Sequence, residues 1–385
     1  MFRAIIAVLF AVIIVGVGGA LIRSPSAPPA AAAEQMPEIS IVRHFPLQQP
    51  RSLTFSADGR LFCVVTEDNT VNCYSSTGAR RYSTKVPGAD SAVIAPGGYY
   101  ALAYARLSPT HRRLTFLDSK GRVHWKMDVA GAVWSADACR IEDGARFVVG
   151  TGERYVYVIT IGAKRNRYRR WRAPGAVVSV NIDPQGEQIT FGTWQRSALG
   201  CAALSGKRIW EIDADPASLH YVQVLDSPDR LLLRSIPNRS GADGGFSLLD
   251  ARGARIWQGE IDCSQHTRVL VSPDGRYVCL GHTKLIEHKG GSVTEKHAAL
   301  YDASGRRLWD KGSLFFRADP ILMISGGYVV VESAKNALFV LGPAGDIKPS
   351  VKLPASVKRS ISSRDGRCLL LHCSDGRLYV LKVSG

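Results

Sequence analysis

The chain has 385 residues, of which 45% are hydrophobic and 21% are charged, and its formal net charge is +16. The excess of lysine and arginine favours anionic neighbours such as phospholipid headgroups, acidic envelope polymers or nucleic acid. The cysteines include no C-x-x-C pair, which argues against a zinc ribbon or a thioredoxin-like site.

An uncharged apolar segment lies at residues 4–22. At about 1.5 Å per residue, a helix of this length spans roughly 28 Å, close to the hydrocarbon core of a bilayer. We expect residues 1–24 to be a membrane anchor. A cleaved signal peptide is the alternative, because the alanines at 30–33 offer small residues for cleavage. No cysteine precedes Cys63, which argues against a lipid anchor. The rest of the chain is then expected outside the cytoplasm, in the periplasm or at the cell surface.

A Pro/Ala linker at residues 25–36 leads into a repetitive region. From Arg51 onward, eight weakly similar segments of about 44 residues follow one another. Each begins with alternating apolar residues and then turns, usually at a glycine, as at Gly59 and Gly275. Short strands at this period are typical of propeller blades. The sequence therefore predicts an all-β, eight-bladed β-propeller over residues 37–385, with seven blades as the alternative if one weak repeat is an elaboration.

A second turn recurs in five of the repeats, where an aromatic residue follows a glycine by four positions. Residues 204–210, 249–257 and 301–309 are clear copies, and each ends in tryptophan. Glycine supplies the positive φ of a tight hairpin turn, and the aromatic residue can pack between neighbouring blades. We therefore interpret these tryptophans as structural rather than as platforms for a ligand.

This turn resembles the repeat of pyrroloquinoline-quinone-like (PQQ-like) propellers, which carry an Asp-Ala-x-x-Gly-Lys-x-x-Trp sequence. The likeness is strongest at residues 250–257 and 302–309. PQQ-like and WD40-like repeats occur in quinoprotein dehydrogenases and in non-catalytic propellers, including a scaffold of the outer-membrane assembly machinery. The enzymes resemble one another in a disulfide between adjacent cysteines under the cofactor, and this chain has no adjacent pair. The resemblance thus implies a non-catalytic member, and we expect neither quinone nor stoichiometric metal.

The last repeat, at residues 356–385, holds only three strand patterns. Residues 39–45 precede the first repeat and alternate as a strand does. We expect this segment to supply the outer strand of the last blade, which would close the ring and leave no open join.

The densest basic run, at residues 164–172, corresponds to the turn and outer strand of the third blade. Basic residues interleaved with aromatics can bind phosphates and bases. Charged side chains also protect an outer strand from edge-to-edge pairing, and we favour this interpretation. An anionic envelope partner ranks second and nucleic acid third. The candidate binding residues of this run are Lys164, Arg165, Arg167 and Arg169.

Two pairs of cysteines allow a structural interpretation. Cys63 and Cys73 flank a predicted turn symmetrically, so they can face each other across a hairpin, either as a disulfide or as thiols. Cys279 and Cys368 occupy the strand position of Cys63 in their own repeats, which suggests small buried core residues.

Two excursions interrupt the repeats, at residues 235–245 and 281–297, and we expect both on one face of the propeller. Imidazole and carboxylate groups in the second suit a divalent ion. Their spacing matches no metal motif and three lysines would repel a cation, so we expect a mobile polar loop. The candidate interaction residues of the two excursions are Arg239, His282, Lys284, Glu287, His288, Lys289, Glu295, Lys296 and His297.

No Ser/His/Asp or Cys/His arrangement stands out, and we assign no catalytic, cofactor or metal residues. We place His220, His266 and Glu332 near the channel mouth. The sequence favours a membrane-tethered, extracytoplasmic scaffold for protein interaction or ligand sensing, with a protein or an anionic envelope component as its partner. The alternative is a propeller enzyme, such as a lactonase-like hydrolase or a lyase, with its site at the channel mouth. Carboxylates and histidines with perturbed protonation around the channel would favour that enzyme.

Overall fold

The computed structural model describes residues 36–384 except 48, 107, 109, 111, 195–196, 214–217, 225–229, 238–243, 251, 262–267, 289–290, 313–319 and 334–335. The expected anchor at residues 1–24 and nearly all of the linker at 25–36 lie outside this part. Within the part that is described, no helix combines the length and the apolar character needed to cross a bilayer.

Short runs rich in β-branched and aromatic residues form antiparallel strands, and glycine, aspartate and serine turns separate them. The chain begins with β1 (Glu38–Pro46). The first sheet contains β2 (Pro50–Phe55), β3 (Leu61–Thr66), β4 (Thr70–Ser75) and β5 (Arg80–Lys85). The second contains β6 (Ser91–Ile94), β7 (Tyr100–Tyr104), β8 (Arg113–Asp118) and β9 (Val123–Asp128). The third contains β10 (Val133–Ile141), β11 (Gly144–Thr151), β12 (Tyr155–Gly162) and β13 (Asn166–Arg172). The fourth contains β14 (Val177–Ile182), β15 (Gln188–Thr193), β16 (Ser197–Ala202) and β17 (Arg208–Asp213).

The second half repeats this pattern. The fifth sheet contains β18 (Ser218–Val224), β19 (Arg230–Pro237), β20 (Gly244–Asp250) and β21 (Arg255–Ile261). The sixth contains β22 (Arg268–Val271), β23 (Tyr277–His288), β24 (Gly291–Asp302) and β25 (Arg307–Lys311). The seventh contains β26 (Leu322–Met323), β27 (Val329–Glu332), β28 (Ala337–Leu341) and β29 (Ile347–Lys352). The eighth contains β30 (Val357–Ser362), β31 (Cys368–Cys373), β32 (Arg377–Ser384) and β1. Two short 3₁₀ turns lie at Pro96–Gly98 and Ser325–Gly327.

The described residues therefore form eight four-stranded sheets, which agrees with the expected eight blades rather than seven. In the first seven sheets the strands follow one another as antiparallel neighbours from inside to outside, and in the eighth β30, β31 and β32 are followed by β1 on the outside. The core lies between neighbouring sheets, where Phe116 of the second sheet meets Phe147 of the third at 5.4 Å between ring centroids. One blade cannot bury its own apolar faces, so each depends on its neighbours.

The N-terminal strand closes the eighth sheet, as the sequence predicts. β1 pairs antiparallel with β32, from Glu38 opposite Ser384 to Pro46 opposite Arg377. Ile39 is only 3% exposed and belongs to the core between the seventh and eighth sheets. The eighth sheet also contacts the first, because Arg359 donates hydrogen bonds to the Pro50 and Arg51 carbonyls at 2.5 and 2.9 Å.

The glycine-to-aromatic turns join neighbouring blades, as expected. Gly253 has a φ of +80°, and a Cβ there would lie 2.6 Å from the Trp210 ring of the preceding blade. Trp309 donates a hydrogen bond from its indole Nε1 to the Gly342 carbonyl of the next blade at 2.9 Å. The aromatic residue of one blade thus packs against the glycine turn of the following blade, and the role of this aromatic residue is structural.

The cysteines behave as core residues. Cys63 and Cys73 are direct cross-strand partners on β3 and β4, as the symmetric spacing predicts, and both are buried thiols. A hydrogen bond with Cys73, together with burial, raises the pKa of the Cys63 thiol. Cys279 and Cys368 are buried as well, which confirms their assignment to the core.

The prediction of a mobile loop at residues 281–297 is wrong. These residues continue β23 and β24 as a long hairpin, with His282 opposite His297 and His288 opposite Gly291. The physical reason is in the local sequence, because Thr283, Ile286 and other β-branched residues favour strands. Residues 235–245 are partly strand too, since Ser235 pairs with Gly245.

Candidate ligand-binding site at the channel mouth

The first strands of the sheets converge on a cavity of about 630 Å³. In an antiparallel blade, the first strand begins at the end where the second and third strands are joined. That end carries the β23–β24 hairpin, and we call it the hairpin face. Residues at or near the starts of six first strands line the cavity: Arg51, Ser91, Trp134, Arg268, Ile321 and Val357. The cavity therefore opens on the hairpin face.

The cavity is strongly basic. Among its described lining residues, Glu332 is the one carboxylate and no histidine is present. A concave surface that carries one sign of charge between low-dielectric walls concentrates ions of the opposite sign. The cationic lining residues are Arg51, Arg106, Arg268, Lys296, Lys358 and Arg359.

Hydrogen bonds hold several of these cations in place. Arg268 donates to the Ser360 hydroxyl at 2.9 Å, and Arg51 donates to the Asn69 amide oxygen at 3.1 Å. Arg359 is held by the two carbonyls that join the eighth sheet to the first. Glu332 is 3% exposed and accepts a hydrogen bond from the Val357 N–H at 3.0 Å. Anchored guanidinium groups lose less conformational freedom when they bind an anion.

Aromatic side chains give the cavity an apolar wall. Trp134 meets Trp194 edge-on at 5.7 Å between ring centroids and lies against Gly152, where a Cβ would come within 3.1 Å of the indole. Tyr104 is also part of the lining. Burial raises the pKa of the Tyr104 phenol, which keeps its hydroxyl protonated at neutral pH. The site thus combines cations with aromatic surface.

An ion pair spans the channel at the end away from the hairpin face. Arg364, in the turn between β30 and β31, lies 3.1 Å from the Asp137 carboxylate on β10. Asp137 also accepts a hydrogen bond from the Ile182 N–H at 3.0 Å. Because the eighth and third sheets are not neighbours, this contact bridges the channel beneath the cavity.

The structure brings together only some of the sequence-predicted residues. Lys296 lines the cavity, and Glu332 lies at the channel mouth as expected. His220 lies on β18, and four other candidates are placed by backbone alone in the β23–β24 hairpin: Lys284, Glu287, His288 and Glu295. Arg239, His266 and Lys289 lie outside the described residues.

A compact cluster lies where this hairpin joins its blade. His297 Nδ1 is 2.8 Å from Asp310 Oδ1, and His282 Nε2 is 3.5 Å from the same oxygen. The two imidazole rings are 5.2 Å apart between centroids. Their carboxylate partner comes from the neighbouring strand β25, which the sequence analysis did not connect with the histidines.

The basic run of the third blade lies elsewhere. Arg167 and Arg169 are exposed on β13, the outermost strand of its sheet, as the sequence predicts. Arg169 donates to the Leu204 carbonyl at 2.7 Å. Lys164, Arg165 and Arg167 line a separate cavity of about 390 Å³ together with Glu142 and Asp143. That cavity lies at the turns of the opposite face, and its two acidic residues offset part of the charge.

Sequence reasoning missed most of the channel cations. Arg51, Arg268 and Lys358 each occur within two residues of the start of a first strand. Alignment of the blades at these starts would have placed them on one face around the axis. The basic run at 164–172 is recognisable in the sequence because its charges lie close together in the chain, whereas the channel charges come from separate repeats.

No protein-family model matches the sequence, and neither does any curated protein. Solved structures match the fold. The crystal structure of BamB from Moraxella catarrhalis has a TM-score of 0.59 at 14% identity, covering 89% of this chain and 97% of that chain. The structure of the Dos1 propeller has a TM-score of 0.67 at 10% identity, covering 89% and 95% respectively. This chain is therefore an all-β propeller structurally similar to BamB and to the Dos1 propeller.

Proposed function

We propose that this protein is a non-catalytic, extracytoplasmic scaffold that binds an acidic segment of a protein partner at the channel mouth. One observation carries the proposal. Six cationic residues and a single carboxylate surround a preformed cavity of about 630 Å³ among the described residues. The likeness to the BamB propeller supports a scaffold role.

The size and chemistry of the cavity fit a short peptide segment. Its volume falls within the roughly 300–1,000 Å³ that is usual for ligand sites. Arginine presents a planar fork that matches a carboxylate with two parallel hydrogen bonds. Trp134 supplies apolar surface beside these cations. Acidic residues followed by an apolar or aromatic residue would satisfy both parts of the lining.

Contacts inside the cavity alone bury too little surface for a stable protein interface, which buries about 1,200–2,000 Å² of accessible surface in total. The β23–β24 hairpin and the paired ends of β19 and β20, near Pro237 and Gly244, lie on the same face, because both belong to second and third strands of their sheets. We assign the remaining contact area to this face, around the hairpin and the two strand ends. Arg239, Lys284 and Lys289 would add positive charge there.

The described residues that line the cavity include no acid–base pair, which favours binding over catalysis. General acid–base chemistry needs groups that exchange protons near neutral pH. The described lining offers the carboxylate of Glu332, which is held by a backbone N–H, and no histidine. The enzyme alternative of a lactonase-like hydrolase or a lyase gains no support from this lining.

The location belongs to the same proposal. An apolar segment at residues 4–22 is long enough to span a bilayer, and the propeller would then be tethered outside the cytoplasm. Protease added to intact spheroplasts should digest the propeller. Protection from the protease would reverse the topology, and release of an intact soluble propeller would favour cleavage near Ala33.

Two charge-reversal variants test the binding site. In the first, Lys296→Glu and Lys358→Glu invert two exposed cations of the cavity. In the second, Lys164→Glu and Arg167→Glu make the same change in net charge at the third blade. Partner capture by crosslinking in intact cells should fall at least about tenfold for the first variant, because charges of a binding site contribute on the order of 1 kcal/mol each.

The second variant should capture its partner as the unchanged protein does. Loss of capture in the second variant alone would move the site to the outer edge of the third blade. Capture of an acidic polymer instead of a protein would show that the proposed class of partner is wrong. Turnover of a lactone by the purified propeller would show that the proposed non-catalytic role is wrong.

A further inference from the structure

Three side chains with metal-binding atoms converge where the long hairpin joins the sixth blade. His282 lies on β23, His297 is its direct partner on β24, and Asp310 lies on β25. The candidate ligand atoms of all three lie within 4.8 Å of one another. No other such cluster occurs among the described residues.

The strand register explains this convergence. Directly opposed residues of an antiparallel pair project from the same face of the sheet, as His282 and His297 do. Asp310 is opposite Ala299, two residues beyond His297, so it is a diagonal neighbour on that same face. Three adjacent strands therefore contribute one residue each, and β-sheet geometry fixes their spacing.

The ligand set suits a transition-metal ion. Two imidazoles and one carboxylate hold Zn²⁺ with bonds of about 2.0–2.2 Å and leave a fourth position open. Ligand atoms around one tetrahedral ion then lie about 3.3–3.5 Å apart. The distance from His282 Nε2 to Asp310 Oδ1 is already 3.5 Å. The three side chains are only 12–15% exposed, which shields them partly from water.

The nearby lysines oppose a cation less than the sequence suggests. Successive residues of a strand project to opposite faces, so Lys296 projects away from its neighbour His297, and it lines the channel cavity instead. Lys284 is opposite Glu295 in the strand register, so a residue of opposite charge occupies the paired position. Arg307 remains near, at 3.7 Å from Asp310 Oδ2, and an incoming ion must compete with it.

We propose that His282, His297 and Asp310 bind one divalent transition-metal ion, with Zn²⁺ preferred. This revises the expectation of a metal-free domain, which treated residues 281–297 as a loop and did not include Asp310. The ion would link β23, β24 and β25 and fix the hairpin at its base. This site is independent of the acidic partner that we propose for the channel mouth.

Calorimetric titration with Zn²⁺ tests the site in the chelator-treated, full-length protein at pH 7.5, because metal ligands must be deprotonated to bind and acidic pH would weaken the affinity. We expect one equivalent of Zn²⁺ to bind. His282→Ala and Asp310→Asn should each weaken binding at least tenfold. Asp310→Asn keeps a hydrogen-bonding side chain of the same size but removes the charge. His124→Ala is the control, because this exposed histidine lies on β9 in the second sheet.

A spectroscopic measurement separates metal ligation from a purely structural histidine–aspartate contact. Co²⁺ in a site with two nitrogen ligands should give visible absorption bands, and these bands should disappear in His297→Gln. The folded state of each variant is checked by its circular dichroism spectrum. Binding of less than about 0.1 equivalent of Zn²⁺, or equal binding by the unchanged protein and Asp310→Asn, would overturn the proposal.

Discussion

The closing strand β1 provides a sharp test of the fold. Ile39 is 3% exposed and packs in the core that the seventh and eighth sheets share, which includes Leu353 and Leu381. Ile39→Ala removes three carbon atoms from that core and leaves the backbone pairing of β1 with β32 intact. We expect a clear loss of stability, because the closure of the ring depends on this packing.

The expected cost follows from burial. Each buried carbon contributes about 0.8 kcal/mol, so three carbons give about 2.4 kcal/mol, and a residual cavity raises the total toward 3 kcal/mol. The matched control is Ile209→Ala on the outer strand β17, where the isoleucine is 47% exposed. There about half of the 2.4 kcal/mol transfer energy is absent and no cavity forms, so the loss should be no more than about 1.2 kcal/mol.

Urea unfolding measures both costs. Tryptophan fluorescence and circular dichroism should give coincident transitions, which justifies a single free energy of unfolding. A loss for Ile39→Ala no greater than that for Ile209→Ala would refute the reasoning, because β1 would then not seal the eighth blade. Deletion of residues 37–48 should be more damaging than either substitution, since it also removes the whole β1–β32 pairing.

Further predictions concern pH and the blade turns. Burial lowers the pKa of His372 below its usual 6.5 in the folded protein. The unfolded chain therefore takes up a proton more readily than the folded protein does. The free energy of unfolding should fall as the pH drops below about 6.5 and through the pKa of the folded state. His372→Gln should lessen this decline between pH 7.5 and 5.5 in urea unfolding, and an unchanged decline would assign it to other groups. Gly253→Ala should cost more than Gly376→Ala, because both have positive φ but a Cβ meets the Trp210 ring only at the first. Equal losses in thermal unfolding would show that backbone strain alone decides the cost.

Much of the fold is predictable because its determinants are local and repeated. The glycine turn before Trp257 and the strand β1 can each be predicted from a short segment of sequence, and the structure places both as expected. The same holds for the opposed pair Cys63 and Cys73, whose spacing is symmetric about one turn.

The site is less predictable because its residues meet through long-range register. Arg51 and Arg359 are more than 300 positions apart in the sequence, yet the closed ring places them side by side. Asp310 reaches the histidines only through the pairing of β24 with β25. The hairpin itself was missed because its charged residues resemble a solvated loop, while the β-branched residues between them extend the strands.

The central claim is that a partner binds at the channel mouth on the hairpin face. Site-specific photo-crosslinking in intact cells tests it most directly, with a photoreactive residue at Lys358 in the cavity or at Arg167 on the outer strand β13. We predict a specific protein adduct from position 358, weakened by raised salt, and none from position 167. An adduct from position 167 alone, or none from either position, would contradict the account.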